Sequence, residues 1–310
     1  MSQNQQTRVA ASVQQKLRNK ATEKKEVLNA LQARYARERL LYRLSKSAYY
    51  DKFVLKGATL FSVWLDKPHR PTQDIDLLGL TDNNVAHVEQ VFSEICCLEV
   101  EDDGLQFKKD TVRGELIKEG APYEGVRIHL DAVFAGTRSR FNIQIDIGFE
   151  DKVTPEPKVM EFPTILEFPA PLLKTYPRET VVAEKFEAMV MLGMGNSRIR
   201  DFYDLWFLAQ EFRFEGELVC RAIKTTFNWR KTQIPLQTPT SLTLEFSSDS
   251  EKQKLWRGFL NKLAAKEDNI KNLSEVTTVL KAFLMPPTLA VAKGEKFDKV
   301  WHPPGPWQKS

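Results

Sequence analysis

Residues 141–149, FNIQIDIGF, alternate without a break. Phe141, Ile143, Ile145, Ile147 and Phe149 fall on one side, and Asn142, Gln144, Asp146 and Gly148 on the other. Period-two alternation of this length is a β-strand with one buried face. Residues 126–133, VRIHLDAV, alternate as well, and Gly136–Arg140 between the two runs predicts a hairpin. A third strand is expected at Asp74-Ile-Asp-Leu-Leu78, bounded by Pro71 and Gly79. Phe53-Val-Leu55 is a short apolar run ending at Gly57, and Gly57-Ala58-Thr59 would open a helix with its body at Leu60–Leu65.

Helices alternate with these runs and then take over. Residues 24–46 place Val27, Leu28, Leu31, Tyr35 and Tyr42 on one side at helical spacing, and residues 84–95 form a second helix. Residues 98–110 are acidic and read as a strand with its turn. Five prolines between Pro155 and Pro171 punctuate the chain, and a helical half follows at 180–192, 201–212, 216–227 and 251–285. The expected class is α+β: a mixed-sheet lobe over 1–160 behind a basic N-terminal helical segment, a helical lobe over 161–285, and a Pro/Trp-rich tail over 286–310. Trp301 and Trp307 would dock that tail.

Composition excludes several classes. At 310 residues, 42% hydrophobic and 28% charged, the chain has the make-up of a soluble globular protein. No apolar run approaches the roughly 20 residues of a membrane span, and the N-terminus lacks the apolar core of a secretory signal. Three cysteines, two of them adjacent at Cys96 and Cys97, build no disulfide framework and point to a reducing cytoplasm. Four scattered histidines give no Cys/His zinc spacing. The net charge of +4 is uneven: residues 1–46 hold eleven Lys/Arg against Glu23, Glu26 and Glu38, a local +8. A polyanion or an acidic partner would suit that segment. A solvated helix face would explain it equally well.

Asp74-Ile75-Asp76 carries the sharpest chemical signal. Residues i and i+2 of a strand project to one face about 6–7 Å apart, and two carboxylates aimed at one point repel unless a cation lies between them. Hard oxygen donors of this kind suit Mg²⁺ or Mn²⁺. A surface strand explains most bare DxD pairs, but here Gly57 stands 17 residues upstream at a strand-to-helix turn where backbone N–H groups could meet a phosphate. Asp146 is the one charged residue on the polar side of 141–149. Three acids beside a glycine turn would form a metal-dependent phosphoryl-transfer site. In the helical half, Lys185 falls inside the apolar stripe of Val181, Val182, Met189 and Leu192, where it must snorkel or find an anion. Asp201 follows Arg198 and Arg200 in RIRDFYDLW and shares a face with Phe202, Leu205, Leu208 and Ala209.

FVLKGATLFSVWL, RPTQDIDLLG, IQIDIGF, ETVVAEKFEAMVMLG and RIRDFYDLWFL, in that order, resemble the AbiEii/AbiGii toxin family of nucleotidyltransferases over about residues 30–230. The resemblance implies a nucleotidyltransferase sheet lobe followed by a helical bundle, with Gly57-Ala58 as the nucleotide turn and Asp74, Asp76 and Asp146 as the metal acids. It also implies catalytic roles for Lys185 and Asp201 and a hydroxyl contact from Thr72. Ala58 departs from the usual Gly or Ser, which removes a hydroxyl and keeps the backbone N–H. Arg70, Arg198 and Arg200 would add positive charge for phosphate binding. The implied activity is a toxin of a toxin–antitoxin or phage-defence pair, moving a nucleotide from an NTP to an RNA acceptor such as the 3′ end of tRNA and answering to an antitoxin. Transfer to a protein or small molecule, and a catalytically idle nucleotide-binding protein, are the competing readings.

Overall fold

The computed structural model describes residues 3–65, 70–117, 125–263 and 272–309. They form two compact units: residues 1–150 with 158–175, and residues 151–157 with 176–310.

The first unit begins with α1 (Gln3–Lys24) and α2 (Leu28–Lys46), followed by β1 (Phe53–Lys56). A 3₁₀ turn at Ala58–Leu60 runs into α3 (Phe61–Trp64), and then come β2 (Asp74–Gly79), α4 (Val85–Cys97), β3 (Leu105–Ile117), β4 (Gly125–Phe134), β5 (Arg140–Phe149), β6 (Lys158–Glu161) and β7 (Leu172–Thr175). The seven strands make one mixed sheet in the order β3-β4-β5-β2-β1-β7-β6. β2 runs parallel to β5 and β1 to β7; β4 and β5 form the expected antiparallel hairpin.

The alternation dictates the layering. Ile75 and Leu77 of β2, Val126, Ile128 and Leu130 of β4, and Ile143, Ile145 and Ile147 of β5 are all essentially inaccessible to solvent. α2 and α4 cover this apolar face: Tyr35 stacks on Phe134 at 6.5 Å between ring centroids, and Phe92 meets Phe53 at 5.7 Å. Burying side chains of this size is worth roughly 1.5–3 kcal/mol each. The opposite, polar face is where the predicted site residues emerge.

Two findings revise the reading of the N-terminus. Helix is not confined to 24–46: α1 precedes it, seating Ala10, Val13, Leu17 and Ala21 at i, i+3, i+7 and i+11, and α2 begins only at Leu28. The +8 segment is also not all surface. Arg39 and Arg43 are buried and both bond the buried Asp103, Arg39 Nε at 3.0 Å and Arg43 Nη1 at 2.6 Å. Arg39 also lies over the Tyr42 ring at 4.2 Å. Glu38 is buried beside them and accepts the Ile165 N–H at 2.7 Å, and burial raises its pKa to about 7.

The second unit holds α5 (Arg178–Leu192), α6 (Ile199–Glu211), β8 (Phe214–Glu215), α7 (Gly216–Trp229), α8 (Leu244–Ser248), α9 (Ser250–Leu260), α10 (Leu273–Lys293), β9 (Lys299–Trp301) and β10 (Trp307–Lys309). The stretch read as one helix over 251–285 is α9 and α10, with residues 264–271 outside the described residues. Aromatic packing joins the helices: Phe186 on Phe227 at 5.6 Å, and Phe202 stacked on Phe246 at 5.1 Å. Pro286 and Pro287 lie inside α10. Beyond it, β8, β9 and β10 pair in a small sheet, where Trp301 donates its indole N–H to Ala209 O and Trp307 donates to Phe283 O.

Candidate active site

β2 is short and begins at the first acid, so Asp74 and Asp76 share the polar face while Ile75 and Leu77 anchor the strand below. The register of the sheet then sets their neighbours. Lys56 of β1 stands opposite Asp76, Asp76 opposite Asp146 of β5, Asp146 opposite Arg127 of β4, and Arg127 opposite Glu115 of β3. One row of charged residues therefore crosses five adjacent strands. Beside it runs a second row, Asp74, Gln144, His129 and Arg113.

The glycine turn is shaped around Asp76. Gly57 has φ +69° and ψ −161°, and a Cβ placed there would lie 1.9 Å from Asp76 Oδ2. Only glycine fits, because the conformation excludes side chains and the carboxylate occupies the space one would need. Ala58 opens the 3₁₀ turn, and Leu60 N–H bonds Gly57 O at 3.3 Å. Two hydroxyls hold the start of β2: Thr59 Oγ1 donates to Asp74 O at 3.2 Å and Thr72 Oγ1 to the same atom at 3.4 Å. Arg70 stands at the entry to this loop.

Asp146 is held firmly. Arg127 donates Nε to Oδ1 and Nη2 to Oδ2, both at 2.8 Å, and the Gln144 amide reaches the two oxygens at 3.1 and 3.2 Å. A bidentate guanidinium pair of this geometry is among the stronger polar contacts in proteins. The donors that suit a divalent cation are thus Asp74 and Asp76, hard oxygens on one face, while both oxygens of Asp146 already accept hydrogen bonds. Among the described residues, no group of three or more His, Cys, Asp or Glu side chains is clustered to hold a metal ion.

Arg37 is a contributor that the sequence pattern did not single out. It reaches from α2 to donate to Thr72 O at 3.2 Å. Burial and the neighbouring Arg34 lower its pKa to about 10, and the charge of Asp74 offsets part of that. A sheltered guanidinium at the head of β2 is suited to an anion.

The second unit gathers the other predicted residues. Lys185 of α5 bonds Asp201 of α6 closely and pairs with Asp204 at 3.0 Å; the Asp204 side chain is fully buried. The lysine in the apolar stripe has found anions within its own fold. Asp204 was missed, although its place one turn after Asp201 on the same helix was the available signal. Arg198 and Arg200 are exposed where α6 begins, and the Arg198 N–H donates to Asn196 Oδ1 at 2.8 Å.

With this geometry in place, comparison with known proteins is informative. The family model for the nucleotidyl transferase AbiEii toxin, of type IV toxin–antitoxin systems, matches residues 39–286. The chain belongs to the AbiEii family. It is accordingly a nucleotidyltransferase toxin of a type IV toxin–antitoxin system, with the mixed α+β fold expected of one. The AbiEii match begins within α2 and ends within α10, so it spans both units. Among solved structures, JHP933 from Helicobacter pylori is 16% identical with a TM-score of 0.46, covering 86% of this chain and 93% of its own. A second H. pylori crystal structure, described as a candidate nucleotidyltransferase, is 16% identical with a TM-score of 0.47, covering 87% and 99%. No curated protein matches the sequence.

Proposed function

We propose that this AbiEii protein is a metal-dependent nucleotidyltransferase that moves a nucleotide from an NTP to an RNA acceptor, the 3′ end of tRNA, and releases pyrophosphate. The observation that carries this reading is the fit of Gly57 against Asp76, with Asp74 two residues before on the same face and Asp146 in register beside it. A phosphate-handling turn and a carboxylate pair meet at one point. Asp74 and Asp76 would hold Mg²⁺ or Mn²⁺, which when bound would neutralise the triphosphate and polarise the α-phosphate.

The chain's own residues do the rest. Backbone N–H groups at the Gly57–Ala58 turn face phosphate oxygens, Thr59 and Thr72 fix the head of β2, and Arg37 and Arg70 supply positive charge there. Lys185, Asp201, Arg198 and Arg200 are the second unit's candidate nucleotide contacts. In the reaction an acceptor hydroxyl forms a bond to the α-phosphorus while the α–β bridging oxygen departs with pyrophosphate. The remaining basic residues of 1–46 would meet RNA phosphates or an acidic antitoxin. The site of action is the cytoplasm; among the described residues no helix is long and apolar enough to cross a membrane.

The test is to incubate the purified chain with each labelled NTP, Mg²⁺ and total RNA, beside Asp76→Ala. Label in RNA that disappears with Asp76→Ala, at unchanged melting temperature, is the expected result. Label in protein, or incorporation that survives Asp76→Ala, would overturn the assignment.

A further inference from the structure

The pair between Arg127 and Asp146 bears on how many cations the site can load. Two carboxylates in register on neighbouring strands, Asp76 and Asp146, would ordinarily invite an ion between them. Here the charge of Asp146 is already met. The fork of Arg127 takes both oxygens at 2.8 Å and Gln144 takes both again. Arg127 arises from the strand on the far side of Asp146, so the row reads Asp76, Asp146, Arg127 in space. An ion bridging the two acids would have to compete for lone pairs the guanidinium uses, and would lie within a few ångströms of its like charge.

Arg127 also has no equivalent place to go. Its other acidic neighbour, Glu115, is 4.0 Å away and its side chain is 61% exposed, against 20% for Asp146. Leaving the sheltered bidentate pair for that exposed contact exchanges a strong interaction for a weak one. Asp74 and Asp76 keep two negative charges on the polar face, which a single divalent ion would balance.

We propose that Arg127 stands where a second cation would otherwise sit, so that the site loads one divalent ion on Asp74 and Asp76 while Asp146 anchors the guanidinium. Asp146 is then a positioning residue, and Arg127 supplies fixed positive charge beside the reacting phosphate. This rests on the reading above that Asp74 and Asp76 hold a cation.

Titration of the full chain with Mn²⁺ alone, followed by electron paramagnetic resonance, counts the sites directly. The expected counts are one Mn²⁺ for the wild type, one of unchanged affinity for Asp146→Asn, two for Arg127→Met, and none for Asp74→Asn/Asp76→Asn. Two sites in the wild type, falling to one in Asp146→Asn, would overturn the proposal and leave the metal reading standing. A count that stays at one in folded Arg127→Met would overturn it too. A wild type indistinguishable from Asp74→Asn/Asp76→Asn would instead overturn the metal reading itself. Should Arg127→Met fail to fold, the wild-type and Asp146→Asn counts decide alone.

Discussion

Replacing Gly57 by alanine would make two demands on the turn before α3, and the structure separates them. The first is conformational: φ +69° with ψ −161° is a region that side-chain-bearing residues enter at a cost of about 1–3 kcal/mol. The second is steric. The new Cβ would lie 1.9 Å from Asp76 Oδ2, 2.5 Å from its Cγ and 2.6 Å from its Cβ. Because the Asp76 Cβ itself is too close, a rotamer change cannot relieve the clash, and the turn or β2 must shift. A displacement of about 1 Å at a reacting centre costs on the order of 100-fold in rate. Gly193, the cap of α5, provides the control. Its φ is +49° and ψ −131°, and nothing lies within 4 Å of an added Cβ. Gly193→Ala therefore pays the conformational cost without the collision. We expect both variants to melt lower, with Gly193→Ala retaining nucleotide incorporation into RNA and toxicity in cells. Gly57→Ala should lose about 100-fold or more in incorporation. Equal activity of the two variants would refute the placement of Asp76 against the turn.

Two further outcomes follow from buried charge. Burial raises the Glu38 pKa from its ordinary value to about 7, so between about 4.5 and 7 the folded chain binds more protons than the unfolded one and stability falls as pH rises, levelling off above that window. Ionising Glu38 costs the fold on the order of 3 kcal/mol; Glu38→Gln should accordingly gain melting temperature over the wild type progressively from pH 5 to pH 8, and a pH-independent difference would contradict this. Lys185→Met leaves the buried Asp204 without its cation and should cost about 3–5 kcal/mol, partly restored in Lys185→Met/Asp204→Asn; an unchanged melting temperature for the single variant would show that the lysine is held for a ligand and not for the fold.

What could be read from the sequence was local. The alternation of 126–133 and 141–149 marked two strands and their buried faces, because period two is a property of the residues themselves. Asp74, Asp76 and Gly57 stood out for the same reason: a strand flanked by Pro71 and Gly79, and a glycine where a strand turns into a helix. The fate of the basic residues was not local. Arg39 and Arg43 look like their exposed neighbours in composition, and only the distant Asp103 makes them internal. α1 also escaped notice, since its buried residues are alanines with one valine and one leucine, too small a contrast with its many polar positions to mark a stripe.

The pairing of Arg127 with Asp146 lies between these cases. A hairpin turn centred on the Gly136–Thr137 bond pairs each residue with its mirror image across that bond, and this places Arg127 opposite Asp146. The partner of the third acid was thus contained in the position of the turn. The neighbour of Asp146 on its other side was not. β2 and β5 are parallel, with α4, β3 and β4 between them in the chain, and no local rule fixes the register of strands joined over such a distance. Asp76 meets Asp146 because the apolar residues Ile75, Leu77, Ile145 and Ile147 must all face α2 and α4. That requirement fixes which face the acids share and excludes a one-residue slip. It leaves a two-residue slip open, which would set Asp74 opposite Asp146. Gly57 settles the matter from β1: Lys56 pairs with Asp76, and the turn that follows has room for no side chain but the carboxylate of Asp76.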